Sequence, residues 1–236
     1  MKRFYTNVSV GIPARGLYSV QLDGKPVKTP KHADLALPWR ELAEAIAEEW
    51  RGQGEEIEPV VMFLTKCANT AIDQTTGHEG AVVDGILAYA NDLLCYRAEE
   101  PAELVARQSE AWDPLLDWLE QRTGAKLLIG TGIAPIRQEE AALDKLRAVL
   151  ASLNAFTLTA LAGAVSLLGS LVLGLALLEG RLTAEEAFAA AFLDEEYQME
   201  KWGRSTETEQ RARALEAELD ALARVMRLSG GERGKP

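Results

Sequence analysis

The chain opens with alternation. Phe4-Tyr5-Thr6-Asn7-Val8-Ser9-Val10 alternates and is rich in β-formers, which predicts a strand. Tyr18-Ser19-Val20-Gln21-Leu22 predicts a second, and Asp23-Gly24 separates it from Pro26-Val27-Lys28-Thr29-Pro30. Asp-Gly between two such runs is a hairpin signal, because both residues tolerate positive φ, so a β-meander is expected. The period then changes. After Pro38, Leu42, Ile46 and Trp50 recur every fourth position up to Gly52 and Gly54, predicting a helix over about 38–52 with the indole on its buried stripe. Val60 to Leu64 reads as a short apolar strand or an extended connection. Thr65 to Asp73 predicts a short helix with Cys67 and Ala71 on one face.

From about Glu79 helical patterns dominate. A helix is predicted from Val82 to Ala90, followed by an extended Asp92-Leu93-Leu94-Cys95-Tyr96-Arg97. Pro101 opens a long helix through Glu120, in which Pro114 either kinks the helix or caps a second one. Lys126 to Ile129 is expected to add a short strand. Four helices follow, over Gln138–Leu153, Phe156–Leu178, Thr183–Trp202 and Glu207–Leu228. Thr183-Ala184-Glu185-Glu186 has the spacing of a capping box. The glycine- and charge-rich end, 229–236, reads as a flexible tail. The expected fold class is α+β: a small β-rich N-terminal domain, 1–75, and a larger, mainly helical C-terminal domain, 76–228. No internal repeat recurs at a fixed period.

One window is long enough to raise a membrane question. Residues 148–178 carry no charge. Ser152, Asn154, Thr157 and Thr159 make its first part polar, and Gly163, Ser166, Gly169, Ser170 and Gly174 recur through the rest. Ser166, Ser170 and Gly174 are spaced by four, so one continuous helix would align them on a face that lets another helix approach closely. A helix apolar all round is buried in something. The reading is a core helix of a soluble protein without stable membrane insertion; the rival is a membrane anchor over 153–178.

A formal net charge of -11 repels phosphate backbones and anionic lipid, so nucleic acid is not an expected partner. The two cysteines, Cys67 and Cys95, sit in apolar surroundings and read as buried thiols, not as a disulfide framework. His32 and His78 give no zinc spacing, so neither metal nor cofactor is expected. The N-terminus lacks the apolar run of a secretory signal and the long Arg- and Ser-rich stretch of a transit peptide, so the cytoplasm is the expected compartment.

Catalytic signatures are missing too. The glycines form neither GxGxxG nor GxxxxGK[ST], there is no GxSxG, and His78 follows Gly77 without a fixed partner nearby. Asn69, Asp73, Asn91 and Asp92 are polar positions in apolar stretches. They read as helix caps, or, in a rival reading, as the polar site of an enzyme of unknown type between the two domains.

The densest candidate chemistry lies in Leu193-Asp194-Glu195-Glu196-Tyr197-Gln198-Met199-Glu200-Lys201-Trp202-Gly203. Asp194 and Glu195 point about 100° apart on a helix, a poor geometry for a shared metal or an acid–base dyad. Glu196 and Glu200 share a face, and Phe188, Phe192, Tyr197 and Trp202 lie on the same helical stretch. Such a segment is either a contact surface, with apolar area for grip and charge for orientation, or an amphipathic helix with a solvated acidic side.

Seven segments together resemble a known family. They are Arg3-Phe4-Tyr5, Leu22-Asp23-Gly24-Lys25-Pro26-Val27-Lys28-Thr29-Pro30, and Ala47-Glu48-Glu49-Trp50. They continue with Leu64-Thr65 and Ala68-Asn69-Thr70-Ala71-Ile72-Asp73, Asp92 to Arg97, and Trp112-Asp113-Pro114-Leu115-Leu116-Asp117-Trp118. The last is Leu193 to Gln198 leading to Lys201-Trp202-Gly203. In this order over about two hundred residues they resemble the chaperone family, of mitochondria and related bacteria, that attends the alpha subunit of the F(1) sector of ATP synthase during assembly. The resemblance implies a non-enzymatic chaperone that holds the alpha subunit and prevents its aggregation before the alpha/beta hexamer forms. It implies a β-rich N-terminal and a helical C-terminal part. It places functional weight on Glu195 or Glu196 and on Trp50, the latter structural or partner-binding; with Tyr197 and Trp202 of the same acidic and aromatic segment, Glu195 and Glu196 are the expected partner-binding residues. A monomer is expected, in the bacterial cytoplasm, or in the mitochondrial matrix for a processed organellar member.

Overall fold

The structure, a computed structural model, describes residues 1–132, 135–203 and 206–230. The chain forms two compact units: Met1–Glu79 with Asn154–Ala160 and the described residues from Arg224, and Gly80–Leu153 with Leu161–Ala223. Strand segments are concentrated at the N-terminus and helices dominate the rest, so the fold class is α+β with a helical C-terminal part.

The first unit is built on a small antiparallel sheet. Strand β2 (Leu17–Leu22) pairs with β1 (Val8–Ala14) in a register that sets Val10 opposite Val20 and Val8 opposite Leu22. It also pairs with the short β3 (Lys25–Pro26) and β4 (Ala36–Leu37). Asp23 and Gly24 both take positive φ (48° and 81°), as the turn between β2 and β3 requires. The expected strand over Phe4–Val10 starts later, at Val8, because the preceding residues are tied elsewhere. Arg3 Nη1 donates to the Gln53 carbonyl at 2.7 Å, and the Tyr5 hydroxyl donates to the Trp50 carbonyl at 2.7 Å.

Helix α1 (Arg40–Arg51) packs its stripe, Leu42, Ala45 and Ile46, against the sheet. Val60–Leu64 is not a strand. Pro59–Val61 makes a 3-10 turn and α2 (Phe63–Thr70) begins two residues later, then widens into a π turn over Ala71–Thr75. The cause is Glu49: its carboxylate accepts from the backbone N–H of Leu64 (2.7 Å) and Thr65 (2.8 Å) and from the Thr65 hydroxyl (2.8 Å), supplying the cap that Met62 lacks. Burial raises the Glu49 pKa, and those hydrogen bonds oppose the rise.

In the second unit, α3 (Glu79–Leu87) continues as a 3-10 turn over Ala88–Ala90. Asp92–Arg97 is only partly extended: Leu93–Cys95 is a 3-10 turn and β5 (Tyr96–Arg97) pairs in parallel with β6 (Gly130–Thr131). The expected strand at Lys126–Ile129 does not form, because the Gln138 side chain takes both backbone groups of Leu128, at 2.7 and 3.0 Å. Helix α4 (Ala102–Thr123) passes through Pro114 without ending. Pro114 lies on the exposed side, so the Glu110 carbonyl that loses its donor can face water. Trp112 is buried on the other side and donates its indole N–H to the Ala190 carbonyl at 2.9 Å.

After α5 (Glu140–Ala151), the long apolar helix predicted over Phe156–Leu178 is two helices, α6 (Ala155–Leu168) and α7 (Leu171–Leu178). Gly169 takes φ 65° and Ser170 caps α7, accepting from Leu173 N–H. The face expected to align Ser166, Ser170 and Gly174 is therefore broken. No helix among the described residues is long and apolar enough to cross a membrane.

Asp92 fastens this break. Its carboxylate accepts from Leu94 N–H (3.0 Å), the Ser170 hydroxyl (2.7 Å) and Val172 N–H (2.9 Å). Its side chain is completely buried, and burial pushes its pKa up to about 6 against the pull of those bonds.

The capping box at α8 (Ala184–Ala191) forms as predicted, and the chain then turns at Phe192 into α9 (Leu193–Trp202), so the helix expected over Thr183–Trp202 is also two. Helix α10 (Thr206–Ser229) ends in a closed contact, not a frayed one. Ser229 is fully buried in the first unit; its hydroxyl lies 3.0 Å from that of Thr157, and its carbonyl accepts from Asn154 at 2.8 Å. Residues 231–236 of the expected tail lie outside the described residues. Both thiols are buried, and burial pushes Cys67 and Cys95 up to about 12.

Candidate partner-binding surfaces

The turn at Phe192 sets α9 against α4 of the same unit. Phe188 and Phe192 stack across it with centroids 4.3 Å apart. Tyr197 is buried, with its hydroxyl 3.3 Å from Glu103 Oε2 and its ring beneath two cations: the Arg107 guanidinium at 5.2 Å and the Lys201 ammonium at 5.0 Å. Those cations are themselves paired. Arg107 bridges Glu200 (2.9 Å) and Glu103 (3.0 Å), and Lys201 reaches Glu103 at 3.1 Å. The hydrogen bond from Lys201 holds Glu103 below the usual carboxylate range, and Glu200 raises Arg107. Asp194 accepts from Gln108 at 2.8 Å.

The acidic cluster of the sequence thus divides. Asp194 and Glu200 attach α9 to α4, and Tyr197 is the aromatic post of that attachment. Glu195 is exposed, Glu196 is half-buried with a contact of its own, and Trp202 projects at 80% exposure. What α9 offers to solution includes a carboxylate and an indole on a helix braced from behind.

Trp50 belongs to the other unit. Expected on the buried stripe with Leu42 and Ile46, it is only half-buried at the end of α1, its ring edge-on to Tyr5 at 5.6 Å. It lines a groove of about 580 Å³. Asn69 and Asp73 line the same groove, but the Asp73 carboxylate is occupied by the Thr29 hydroxyl (2.6 Å) and Lys31 N–H (3.0 Å), fastening the hairpin to the end of α2. Of the other two residues of the enzyme reading, Asn91 is exposed and Asp92 is enclosed in the second unit with both oxygens bonded. The role of Glu49 as the cap of α2 escaped the sequence reading. The signal was present: Glu49 falls seven residues after Leu42, a charge on an otherwise apolar stripe.

Residues 2–120 match the protein family described as ATP12 chaperone protein. The mitochondrial protein atp12 of Schizosaccharomyces pombe is 30% identical over 215 residues, covering 86% of this chain and 74% of that protein. The chain belongs to the ATP12 chaperone family. The crystal structure of Atp12 from Paracoccus denitrificans has the same fold, with a TM-score of 0.89 and 43% identity over 97% of this chain and 98% of that one. A putative chaperone from Agrobacterium tumefaciens superposes with a TM-score of 0.93 and 40% identity, covering 96% of this chain and 85% of that one. Membership makes this chain a chaperone of ATP synthase assembly, with a protein of that complex as its partner. The relatives of this chain thus include a mitochondrial protein and bacterial ones.

Proposed function

We propose that the chain is a non-catalytic holdase for the alpha subunit of the ATP synthase catalytic sector, binding it as a monomer in the bacterial cytoplasm until the beta subunit arrives. A subunit awaiting its partner exposes an interface more apolar than ordinary surface, which self-associates unless covered. The observation that carries the reading is α9: Trp202 and Glu195 project from a helix whose other side is fixed by Tyr197, Glu200 and Asp194. An aromatic anchor next to a charge suits reversible capture, because apolar area supplies grip while charge sets orientation and rate. Release then follows from competition, since whatever binds the alpha subunit more tightly withdraws it from the chaperone.

Glu195→Lys and Trp202→Ala test this directly. Both side chains are outside the core, so unfolding curves stay close to wild type, within about 0.5 kcal/mol. Protection of purified alpha subunit from aggregation falls sharply in both variants. Protection equal to wild type in both removes α9 as the contact surface. Added beta subunit should free the bound alpha subunit; a complex that persists in excess beta rules out release by competition.

A further inference from the structure

The groove beside Trp50 lies wholly within the first unit, and none of its lining residues belongs to α9. Its floor is α2 and the end of α1, with Thr65, Asn69 and Trp50; one wall is the segment Val27–Lys31 and the other runs from Ile57 to Met62. Its size suits a chain segment or a small ligand, in the range of about 300–1,000 Å³ usual for binding clefts.

Three features bear on what it takes. The first is its lips. Phe4, which lines it, is 66% exposed, and Val60 and Val61, next to the lining residue Pro59, are 75% and 50% exposed. Apolar side chains held in water beside a cleft mark an interaction surface larger than the cleft itself. The second is charge. In a chain of net charge -11 the lining carries Lys28, Lys31 and Lys66 against one carboxylate, Asp73, whose oxygens are already bonded to Thr29 and Lys31. Lys28 pairs with Asp34 outside the lining, the Lys31 ammonium bonds a carbonyl, not a carboxylate, and Lys66 has a contact of its own, so the excess positive charge of the lining is partly engaged within the chain. The third is polarity in the floor. Trp50 Nε1–H and Asn69 Oδ1 are both buried and both lack a hydrogen-bond partner. One is a donor and the other an acceptor, the complement of one peptide group.

We propose that this groove docks an extended polypeptide segment that carries apolar side chains flanked by carboxylates. The apolar side chains fill the cleft and cover Phe4 and Val60; the carboxylates meet the lysines; a peptide C=O and N–H pair with Trp50 Nε1–H and Asn69 Oδ1 after side-chain shifts of the size common at interfaces. A small ligand would leave the lips uncovered, which is why a segment is the better occupant. The site is independent of the alpha-subunit reading: it is tested without any synthase subunit, so either can fail alone.

The probe is a fluorescein-labelled peptide, Ser-Leu-Val-Asp-Leu-Glu-Ser, followed by anisotropy with the full chain. Two control peptides replace its acids by lysine or its apolar residues by serine. The acidic apolar peptide binds and both controls bind about tenfold more weakly or not at all. Thr70→Trp, which fills the groove from α2, and Phe4→Asp, at an exposed lip, each weaken binding about tenfold or more, with circular dichroism unchanged. Lys31→Glu weakens it and flattens its salt dependence. Ile12→Asp, an exposed apolar position on β1, leaves it unchanged. Equal binding of the lysine peptide, or wild-type affinity in both Thr70→Trp and Phe4→Asp, overturns the proposal. So does failure of the acidic apolar peptide to displace a groove-bound small dye, 1-anilinonaphthalene-8-sulfonate, which makes the groove a small-ligand pocket. A dimer in sedimentation velocity that Phe4→Asp abolishes likewise overturns it, giving the groove to a second copy of the chain.

Discussion

Glu49 in the first unit and Asp92 in the second are both carboxylates drawn away from bulk water, and both end on backbone N–H groups at a helix start. Their surroundings differ. Glu49 is half-buried, and the charge of Arg224, itself paired with Glu48 at 2.9 Å, helps to hold it ionised. Asp92 is fully enclosed and relies on the N–H groups of Leu94 and Val172 and the hydroxyl of Ser170. The first caps a helix fifteen residues away; the second joins a 3-10 turn to α7 across 80 residues of chain. A carboxylate with water and a cation nearby is cheap to keep, whereas one in a dry core is tolerated only while every donor around it stays in place.

The largest effect is expected at Asp92. Asp92→Asn can keep bonds through its carbonyl but turns an NH₂ group toward Val172 N–H, so urea unfolding should show a loss of about 2–4 kcal/mol. Glu49→Gln makes the same change in a wetter place and should cost about 1–2 kcal/mol. The pH dependence sharpens the contrast further. With its folded pKa raised to about 6, Asp92 binds a proton more readily in the native than in the unfolded state, so its contribution to stability rises as pH falls. The gap between wild type and Asp92→Asn should therefore widen by about 1 kcal/mol between pH 7 and pH 5. For Glu49→Gln the gap widens in the same sense, since burial raises that group too. A gap that narrows on acidification would mean that the hydrogen bonds outweigh burial. The smallest effect belongs to an acid on the surface: Glu195→Lys should change stability by no more than about 0.5 kcal/mol, measured in the same urea series.

Much of the first unit was legible in the sequence, because its signals are local. Asp23-Gly24 and the alternation of β2 suffice for the hairpin, and Leu42, Ile46 and the glycines after Trp50 suffice for α1. What failed there depended on distance: Val60–Leu64 looks like a strand until Glu49, on another helix, captures its N–H groups. Hydropathy alone could not reveal the break between α6 and α7, since glycine and serine are tolerated in apolar helices. A glycine stop followed by a serine cap was nevertheless readable at Gly169-Ser170. On α9 the sequence marked the right segment but could not sort its acids. Glu200 and Asp194 are structural because Arg107 and Gln108 wait on α4, some ninety residues earlier in the chain. The groove was not legible at all, as it gathers residues from Met1 to Gln74 that share no periodicity.

The enclosed sulfurs have a practical corollary. With Cys67 and Cys95 pushed up to about 12 and shut off from solvent, almost no thiolate exists near neutral pH for a maleimide to find. A cysteine introduced at a solvent-facing position would then be the sole nucleophile of its kind on the native protein. Fluorophores and photocrosslinkers can be mounted at Ile12 or Glu195 one at a time, without first removing the natural thiols from the core.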